Sequence, residues 1–336
     1  MSRKAVLNLL RQQEGAYLSG EEIAAQLQLS RAAVWKAVST LREQGYEIEA
    51  RSGLGYRLVS APDLLTETEI RRFLPEVETV GRELRCFDVI DSTNTYIRQA
   101  ALEGARDGTV AIANQQTGGR GRMGRAFQSP RDKGIYLTVL LSPALPVERL
   151  LPVTALAGTA VCDAVEQVCG LRPGIKWPND PVIGEKKVCG ILTELSMEAE
   201  TGALQSLALG IGLNVHQTDG DFTPEVAAMA TSLDAALGRT VSRPQLTAAL
   251  IGALDRMYRD LLAGELDGYL KKLRRDCVNL GRRVQLIGPD GSREIATALD
   301  IDEEFGLVIR DETGRERVIR SGEVSVRGMY GYLETE

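Results

Sequence analysis

Three stretches carry side chains suited to chemistry on anions. The first, 116–130, packs four glycines and three arginines (Gly118, Gly119, Gly121, Gly124; Arg120, Arg122, Arg125) into a run too polar for a core. Glycine lets the backbone approach a ligand closely, and arginine presents a planar fork of donors matched to phosphate or carboxylate. Each glycine costs about 1 kcal/mol against alanine in a helix, so the run predicts a loop folding over a charged ligand. Its Gly119-x-Gly121-x-x-Gly124 spacing imitates a dinucleotide fingerprint. No helix opens at these glycines to meet a pyrophosphate, however, and no Gly-Lys-Ser/Thr makes a P-loop. The second stretch is Lys176-Trp177-Pro178-Asn179-Asp180, followed by Lys186 and Lys187. Proline stops a strand there, so Asn179 and Asp180 project oxygens from a rigid turn suited to Mg²⁺ or a ribose, although Asn-Asp after proline is also ordinary turn chemistry. One lysine pointing inward would neutralise a phosphate; a solvated strand end is the plain alternative. The third is Ser92 and Thr93 at a strand-to-helix turn. Capping alone explains them, and their hydroxyls with the helix amides could also hold a ureido or carboxylate head group.

The rest of the chain has to position these groups. With 336 residues, two or three domains are expected. The longest uncharged apolar stretch, 150–162, is too short for a membrane span of roughly 20 residues, and 43% hydrophobic content is ordinary for a globular protein. No secretory pattern follows Arg3 and Lys4. Five scattered cysteines (Cys86, Cys162, Cys169, Cys189, Cys277), mostly in apolar runs, fit buried thiols in the cytoplasm. The single histidine, His216, leaves little for a zinc site or a Ser-His-Asp triad. Net charge is −6, yet residues 1–61 hold eight Arg/Lys against six Asp/Glu, so the front is +2 and the remainder −8. That asymmetry permits a nucleic-acid module ahead of an acidic body.

Residues 1–62 read as three short helices and a hairpin, a winged helix-turn-helix. Ser19-Gly20-Glu21-Glu22 is a capping box, and Ser30 caps a third helix whose Val34, Ala37, Val38 and Leu41 recur at helical spacing. Ser30, Arg31, Lys36 and Arg42 on or near its polar side, with Arg51 at the hairpin turn, are the candidate DNA contacts, and a dimer reading two half-sites is implied. Protein contact alone is the plain alternative. From 63 to 275, strands at 84–90, 109–114, 134–141, 188–196 and 204–215 and a helix at 147–168 suggest an α+β domain, a mixed or antiparallel sheet with helices on one side. From 276 to 336, five short strands separated by turns make a small barrel.

The order Ser-Thr-Asn, Gln-x-Gly-Gly-Arg-Gly-Arg-x-Gly-Arg, Lys-Trp-Pro-Asn-Asp, Lys-Lys-Val-x-Gly-Ile-Leu and Gly-Ile-Gly-Leu-Asn-Val resembles the biotin-protein ligases. With the winged helix in front, it resembles the bifunctional kind that also represses a biotin operon. The resemblance runs from about residue 3 to residue 328, and it implies an SH3-like C-terminal domain. It implies that Ser92, Thr93, Asn94 and Gln116 contact the biotin head, and that Arg120, Gly121 and Arg122 close over biotin and its adenylate. Lys187 would stand near the biotin carboxylate and α-phosphate. Gly119, Arg122, Phe127, Asn179, Lys187 and Asn214 would face the nucleotide, and Asp180 would support Mg²⁺. Arg120, Arg122, Lys187 and Asp180 would carry the catalysis. The implied substrates are ATP and biotin, and the implied partners are a biotin carboxyl carrier protein, the acetyl-CoA carboxylase subunit, and operator DNA. The chain departs from the commoner pattern at Met123, where arginine is frequent, and at Phe127, where tryptophan is frequent. A sensor that binds biotin without turning it over is the alternative. A lipoate ligase of related fold would carry an Arg-Arg-x-x-Gly-Gly-Gly stretch and a His-Asp pair, and neither is present.

Overall fold

The computed structural model describes residues 2–13, 15–121, 124–198, 200, 204–288, 291–320 and 325–327. It divides into two compact units, 1–64 and 65–336.

In the first unit, helices α1 (Ser2–Gln12), α2 (Gly20–Leu27) and α3 (Arg31–Glu43) precede the hairpin β1 (Glu47–Arg51) and β2 (Gly55–Ser60). The capping box is present: Ser19 Oγ accepts from Glu22 N, and the Glu22 carboxylate accepts from Ser19 N. Ser30 Oγ accepts from Ala33 N to open α3. The helices bury Val6, Leu10, Ile23, Val34, Val38 and Leu41 around one core. Arg42 donates from Nε (2.9 Å) and Nη2 (2.5 Å) to the Ile48 carbonyl, which fixes the hairpin against α3.

The second unit runs α4 (Glu67–Arg71), β3 (Leu84–Ile90), α5 (Thr93–Leu102), β4 (Val110–Gln116), β5 (Gly134–Leu141), α6 (Val153–Cys169), β6 (Gly174–Lys176), β7 (Asp180–Ile183), β8 (Lys186–Lys187), β9 (Cys189–Met197) and β10 (Leu204–Asn214). Then follow α7 (Pro224–Ala227), α8 (Leu233–Leu237), α9 (Arg243–Ala263), α10 (Asp267–Asp276) and strands β11 (Arg283–Ile287), β12 (Arg293–Ile301), β13 (Leu307–Asp311), β14 (Glu316–Ile319) and β15 (Ser325–Arg327). The main sheet has the order β3-β4-β5-β10-β9, with β3 and β4 parallel and the other pairs antiparallel. It is therefore mixed, as the strand-rich pattern predicts. A second, small sheet β6-β7-β8 carries the Lys176–Lys187 region, and the C-terminal strands form an antiparallel sheet β14-β13-β12-β11-β15.

Two expectations need correction. Helices cover both faces of the main sheet, not one. Val110, Ile112, Leu137 and Val139 join the core under α6 and α9, while the alternate residues Ala111, Leu140 and Ala208 pack with Ile97 of α5. A strand buried on both faces loses its alternation and reads as a continuous apolar run, which is why β5 does not betray its second neighbour. The helix expected over 147–168 is split: a single 3-10 turn spans Val147–Leu150, and the α-helix begins only after Pro152. Proline has no N–H for an interior hydrogen bond and is tolerated only at a helix start.

The C-terminal sheet braces the turn at 177–180. Trp177 N donates to Asn279 Oδ1 at 2.8 Å and Trp177 Nε1 to the Phe305 carbonyl at 3.0 Å, with Trp177 and Asn279 both 1% exposed. Replacing Asn279 by Ala would strand a buried N–H, a loss of about 2 kcal/mol. The urea midpoint of the second unit's unfolding is expected to fall accordingly; an unchanged midpoint would show that the brace contributes nothing.

Candidate functional site

Ser92 caps α5, its Oγ accepting from Thr95 N at 3.5 Å, and this turn aims Thr93 and Asn94 at the sheet. Thr93 is bonded to Gln116 Oε1 at the end of β4, through its N–H at 2.8 Å and its hydroxyl at 3.0 Å. Gln116 Nε2 donates in turn to Ser129 Oγ at 3.0 Å, and Ser129 Oγ donates to the Phe127 carbonyl at 3.1 Å. A hydroxyl has one proton. Ser129 gives its proton to the carbonyl and must accept from Gln116, so the Gln116 amide is oriented with its oxygen toward Thr93. Thr138 Oγ1 of β5, fully buried, lies 2.6 Å from Asn94 Oδ1 and 2.8 Å from Thr93 Oγ1. An amide oxygen cannot donate, so the Thr138 proton goes to Asn94, and Thr93 is left one proton for two neighbouring oxygens. Ser92, Thr93, Asn94 and Gln116 line one large cavity. Their part of it carries the amide oxygens of Asn94 and Gln116 as acceptors, which suits a ligand carrying N–H donors.

The same cavity is lined by a cation. Lys187 pairs with Asp180 across β7 and β8, and its backbone is held by Met229 (N to O, 2.8 Å) and Thr231 (N to Lys187 O, 2.9 Å). Gly190 lies under this lysine: an added Cβ would sit 3.1 Å from Lys187 Nζ and 3.3 Å from the Phe127 ring. At Gly212 it would come within 2.4 Å of the same ring. These glycines are the room in which Lys187 and Phe127 stand. Phe127 also meets Tyr136 edge-on, centroids 6.4 Å apart at 74°.

The glycine-arginine loop closes as a narrow hairpin. Gly121 N donates to Arg125 O at 2.7 Å, Phe127 N to Gly119 O at 2.9 Å, and Arg120 bridges Ala126. Arg120, Gly121 and Phe127 line the cavity, and so does Arg125, which the sequence reading assigned no role. Gly119 stands at the neck, where an added Cβ would lie 2.4 Å from the Phe127 carbonyl. Arg122 falls outside the described residues.

Asn179 and Asn214 also line the cavity but brace its walls. Asn179 Nδ2 donates to the Ile191 carbonyl at 3.0 Å, while Asp180 brings a carboxylate to the cavity. Asn214 Nδ2 donates to Thr231 O at 3.0 Å and its Oδ1 accepts from Gln217. The wall made by Phe222, Val226, Met229 and Ala230 was not read from the sequence. Its signal is weak, a few apolar residues in a polar stretch, and Thr223 N ties it to Gln128 Oε1 at 3.2 Å.

Nothing in the site is a covalent nucleophile of the cysteine type. Burial pushes the thiols of Cys86 and Cys277 up to about 12 and about 11, and those of Cys162, Cys169 and Cys189 also rise by burial. His216 is spoken for by Asp234, 2.7 Å from its Nδ1, away from the cavity lining. Among the described residues no group of three His, Cys, Asp or Glu could hold a metal unaided, and no helix is long and apolar enough to cross a membrane.

On the first unit, Arg31 pairs with Glu21 at 2.6 Å and both remain mostly exposed; Lys36 and Arg51 are exposed. Ser30 and Arg42 have hydrogen bonds that build the unit, as described above. Trp35 of α3 is 64% exposed, which the sequence does not show, since there it reads as one more apolar helix residue.

Residues 2–57 match an HTH domain, and residues 86–214 match the Biotin/lipoate A/B protein ligase family. The chain is 35% identical to the bifunctional ligase/repressor BirA of Bacillus subtilis, over 94% of this chain and 96% of that protein. It is 30% identical to the biotin–[acetyl-CoA-carboxylase] ligase of Mycobacterium tuberculosis, over 77% of this chain and 95% of that one. Among solved structures, the biotin protein ligase of Aquifex aeolicus in complex with biotin and ATP superposes with a TM-score of 0.64 at 29% identity, covering 74% of this chain and 99% of the other. With such identity across nearly the whole of two chains, this protein belongs to the biotin/lipoate A/B protein ligase family, as one of its bifunctional ligase/repressors.

Proposed function

We propose that the cavity activates biotin with ATP and passes the acyl group to a lysine of a biotin carboxyl carrier protein, the acetyl-CoA carboxylase subunit, while the first unit binds operator DNA. The observation that carries this is the polarity of one cavity. Acceptors from Thr93, Asn94 and Gln116 match the N–H groups of a ureido ring, and Lys187 and Arg120 match a carboxylate and a phosphate.

A biotin carboxylate oxygen attacks the α-phosphorus of ATP and pyrophosphate leaves. The ε-amine of the acceptor lysine then attacks the acyl carbon, and AMP departs with the bridging oxygen. The two substrates are both anions and repel, so the site has to neutralise and align them. Lys187, steered by Asp180, meets the carboxylate and α-phosphate; Arg120 and Arg122 close over them from the loop. Asp180 would hold Mg²⁺ together with phosphate oxygens, a set that fits a cation usually bound by one or two carboxylates plus substrate. There it would offset phosphate charge. Phe127, Asn179 and Asn214 form the nucleotide side, with Gly119 as the pivot of the loop. The closed loop keeps water from the mixed anhydride.

In this reading, residues 1–62 serve DNA, 63–275 the chemistry, and 276–336 brace the turn through Asn279 and Phe305. One reading helix binds weakly, so the active repressor is a homodimer on two half-sites, with Arg31, Lys36 and Arg51 as phosphate or base contacts and Ser30 and Arg42 holding the helix and hairpin that present them. The chain then works in the cytoplasm, beside its acceptor and its operator.

Biotin-dependent exchange of labelled pyrophosphate into ATP is the expected activity, and Lys187→Ala should lower it about 100-fold or more, as for loss of a charge-stabilising group. No exchange by the parent chain would favour the sensor without turnover. Gly119→Ala forces the loop neck apart and is expected to release biotinyl-AMP to hydrolysis faster than the parent; equal retention would remove the loop from the account. Footprinting on the chain's own upstream DNA should show protection that strengthens with biotin and ATP, and the absence of protection under all conditions would end the repressor reading.

A further inference from the structure

Asn94 faces the cavity, yet its orientation is decided by a residue outside the cavity lining. Asn94 Nδ2 donates to Glu194 Oε2 of β9 at 2.7 Å. A carboxylate offers only acceptors, so the amide must turn its nitrogen to Glu194 and its oxygen away. That oxygen then meets Thr138 Oγ1, at 2.6 Å, over the backbone of Gly210. There is no slack for another arrangement: Asn94 is 7% exposed, and a Cβ at Gly210 would fall 2.1 Å from Asn94 Oδ1. Glu194 is itself steadied by Arg98 of α5, whose Nη1 stands 3.6 Å from Oε1. In register, Glu194 pairs with Ala208 of β10, two residues from Gly210 and so on the same face of the sheet, under α5. Gln116 is oriented in the matching way by the Phe127 carbonyl through Ser129. The two amides, fixed from opposite ends of one hydrogen-bonded chain, both present oxygens.

We propose that Glu194 is a positioning residue: by fixing the Asn94 amide it presents an acceptor rather than a donor at this part of the cavity, and it thereby makes the site select head groups with two N–H donors, cyclic ureas above all. The inference rests on reading the cavity as the biotin site. A flipped Asn94 would aim an NH₂ at a ligand N–H, and donor facing donor is disfavoured because neither group is then paired. Such a site would accept biotin poorly and would no longer distinguish it sharply from an analogue lacking one donor.

Glu194→Gln keeps the size of the side chain but can offer Asn94 either a donor or an acceptor, so it releases the orientation without opening a hole. Thr138→Val removes the opposite anchor. The full-length chain and both variants would be assayed by pyrophosphate exchange with biotin and with biotin methylated on one ureido nitrogen, varying ATP separately. For Glu194→Gln the expected result is a KM for biotin raised about tenfold, the size of one hydrogen bond. The KM for ATP should stay within about twofold, and the preference for biotin over the methylated analogue should shrink by a similar factor to the biotin KM. Thr138→Val, which leaves Asn94 Nδ2 on Glu194, should leave that preference nearly unchanged. An unchanged preference in Glu194→Gln overturns the proposal, and so does a parallel rise of both KM values, which marks general loosening. Absence of biotin-dependent exchange in the parent would instead overturn the functional reading, and the inference with it.

Discussion

Two amide side chains with fixed orientation govern the site. Asn94 and Gln116 each have a nitrogen committed to an acceptor, the Glu194 carboxylate in one case and, through Ser129, the Phe127 carbonyl in the other. Both oxygens turn to the threonines between them, Gln116 Oε1 accepting from Thr93 and Asn94 Oδ1 from Thr138. Each carbonyl oxygen has two lone pairs, so a ligand N–H can add to the bonds already made there. The same chain ends at Phe127, the residue that closes the neck of the glycine-arginine loop. Occupancy of the polar floor and the posture of the loop thus share atoms.

The fold holds that floor from both faces of the main sheet. α5 lies on one face of the mixed sheet and delivers Thr93 and Asn94 from its first turn; α6 and α9 cover the other face. Glycines at 190, 210 and 212 let side chains stand directly on the strands, so the cavity floor is backbone that cannot yield. The charged part is built differently, on the short sheet β6-β7-β8, where Lys187 is fixed by its backbone to 229–231 and the turn before Asp180 is fixed to Asn279 and Phe305. The two supports are joined at β9, where Asn179 Nδ2 bonds the Ile191 carbonyl and Gly190 lies under Lys187.

Much of this was legible in the sequence where the cause was local. Ser30 and the Ser19–Glu22 box announced their helices because a cap acts within four residues, and the glycine-arginine run announced a loop because no helix would tolerate it. What stayed hidden depended on distant partners. α9 is buried almost all round and shows no polar stripe to mark its period. Thr138 and Glu194 are polar residues inside strands, and only the pairing of β5, β10 and β9 gives them roles. Asn179 was read as a projecting ligand because the sequence does not show that Ile191 lies within reach of its amide. The wall at 222–230 was missed for the same reason: its residues acquire meaning only when Lys187 pairs with them.

Attack of a biotin carboxylate on the α-phosphorus of ATP leaves an isotopic trace. Biotin labelled with ¹⁸O in both carboxylate oxygens would be turned over with ATP and the carrier protein, and the released AMP examined by mass. Attack by the carboxylate places a single ¹⁸O in AMP, the bridging oxygen of the mixed anhydride. AMP without label would mean that the acyl group was activated in some other way, and the account given of Lys187, Arg120 and the loop would be wrong.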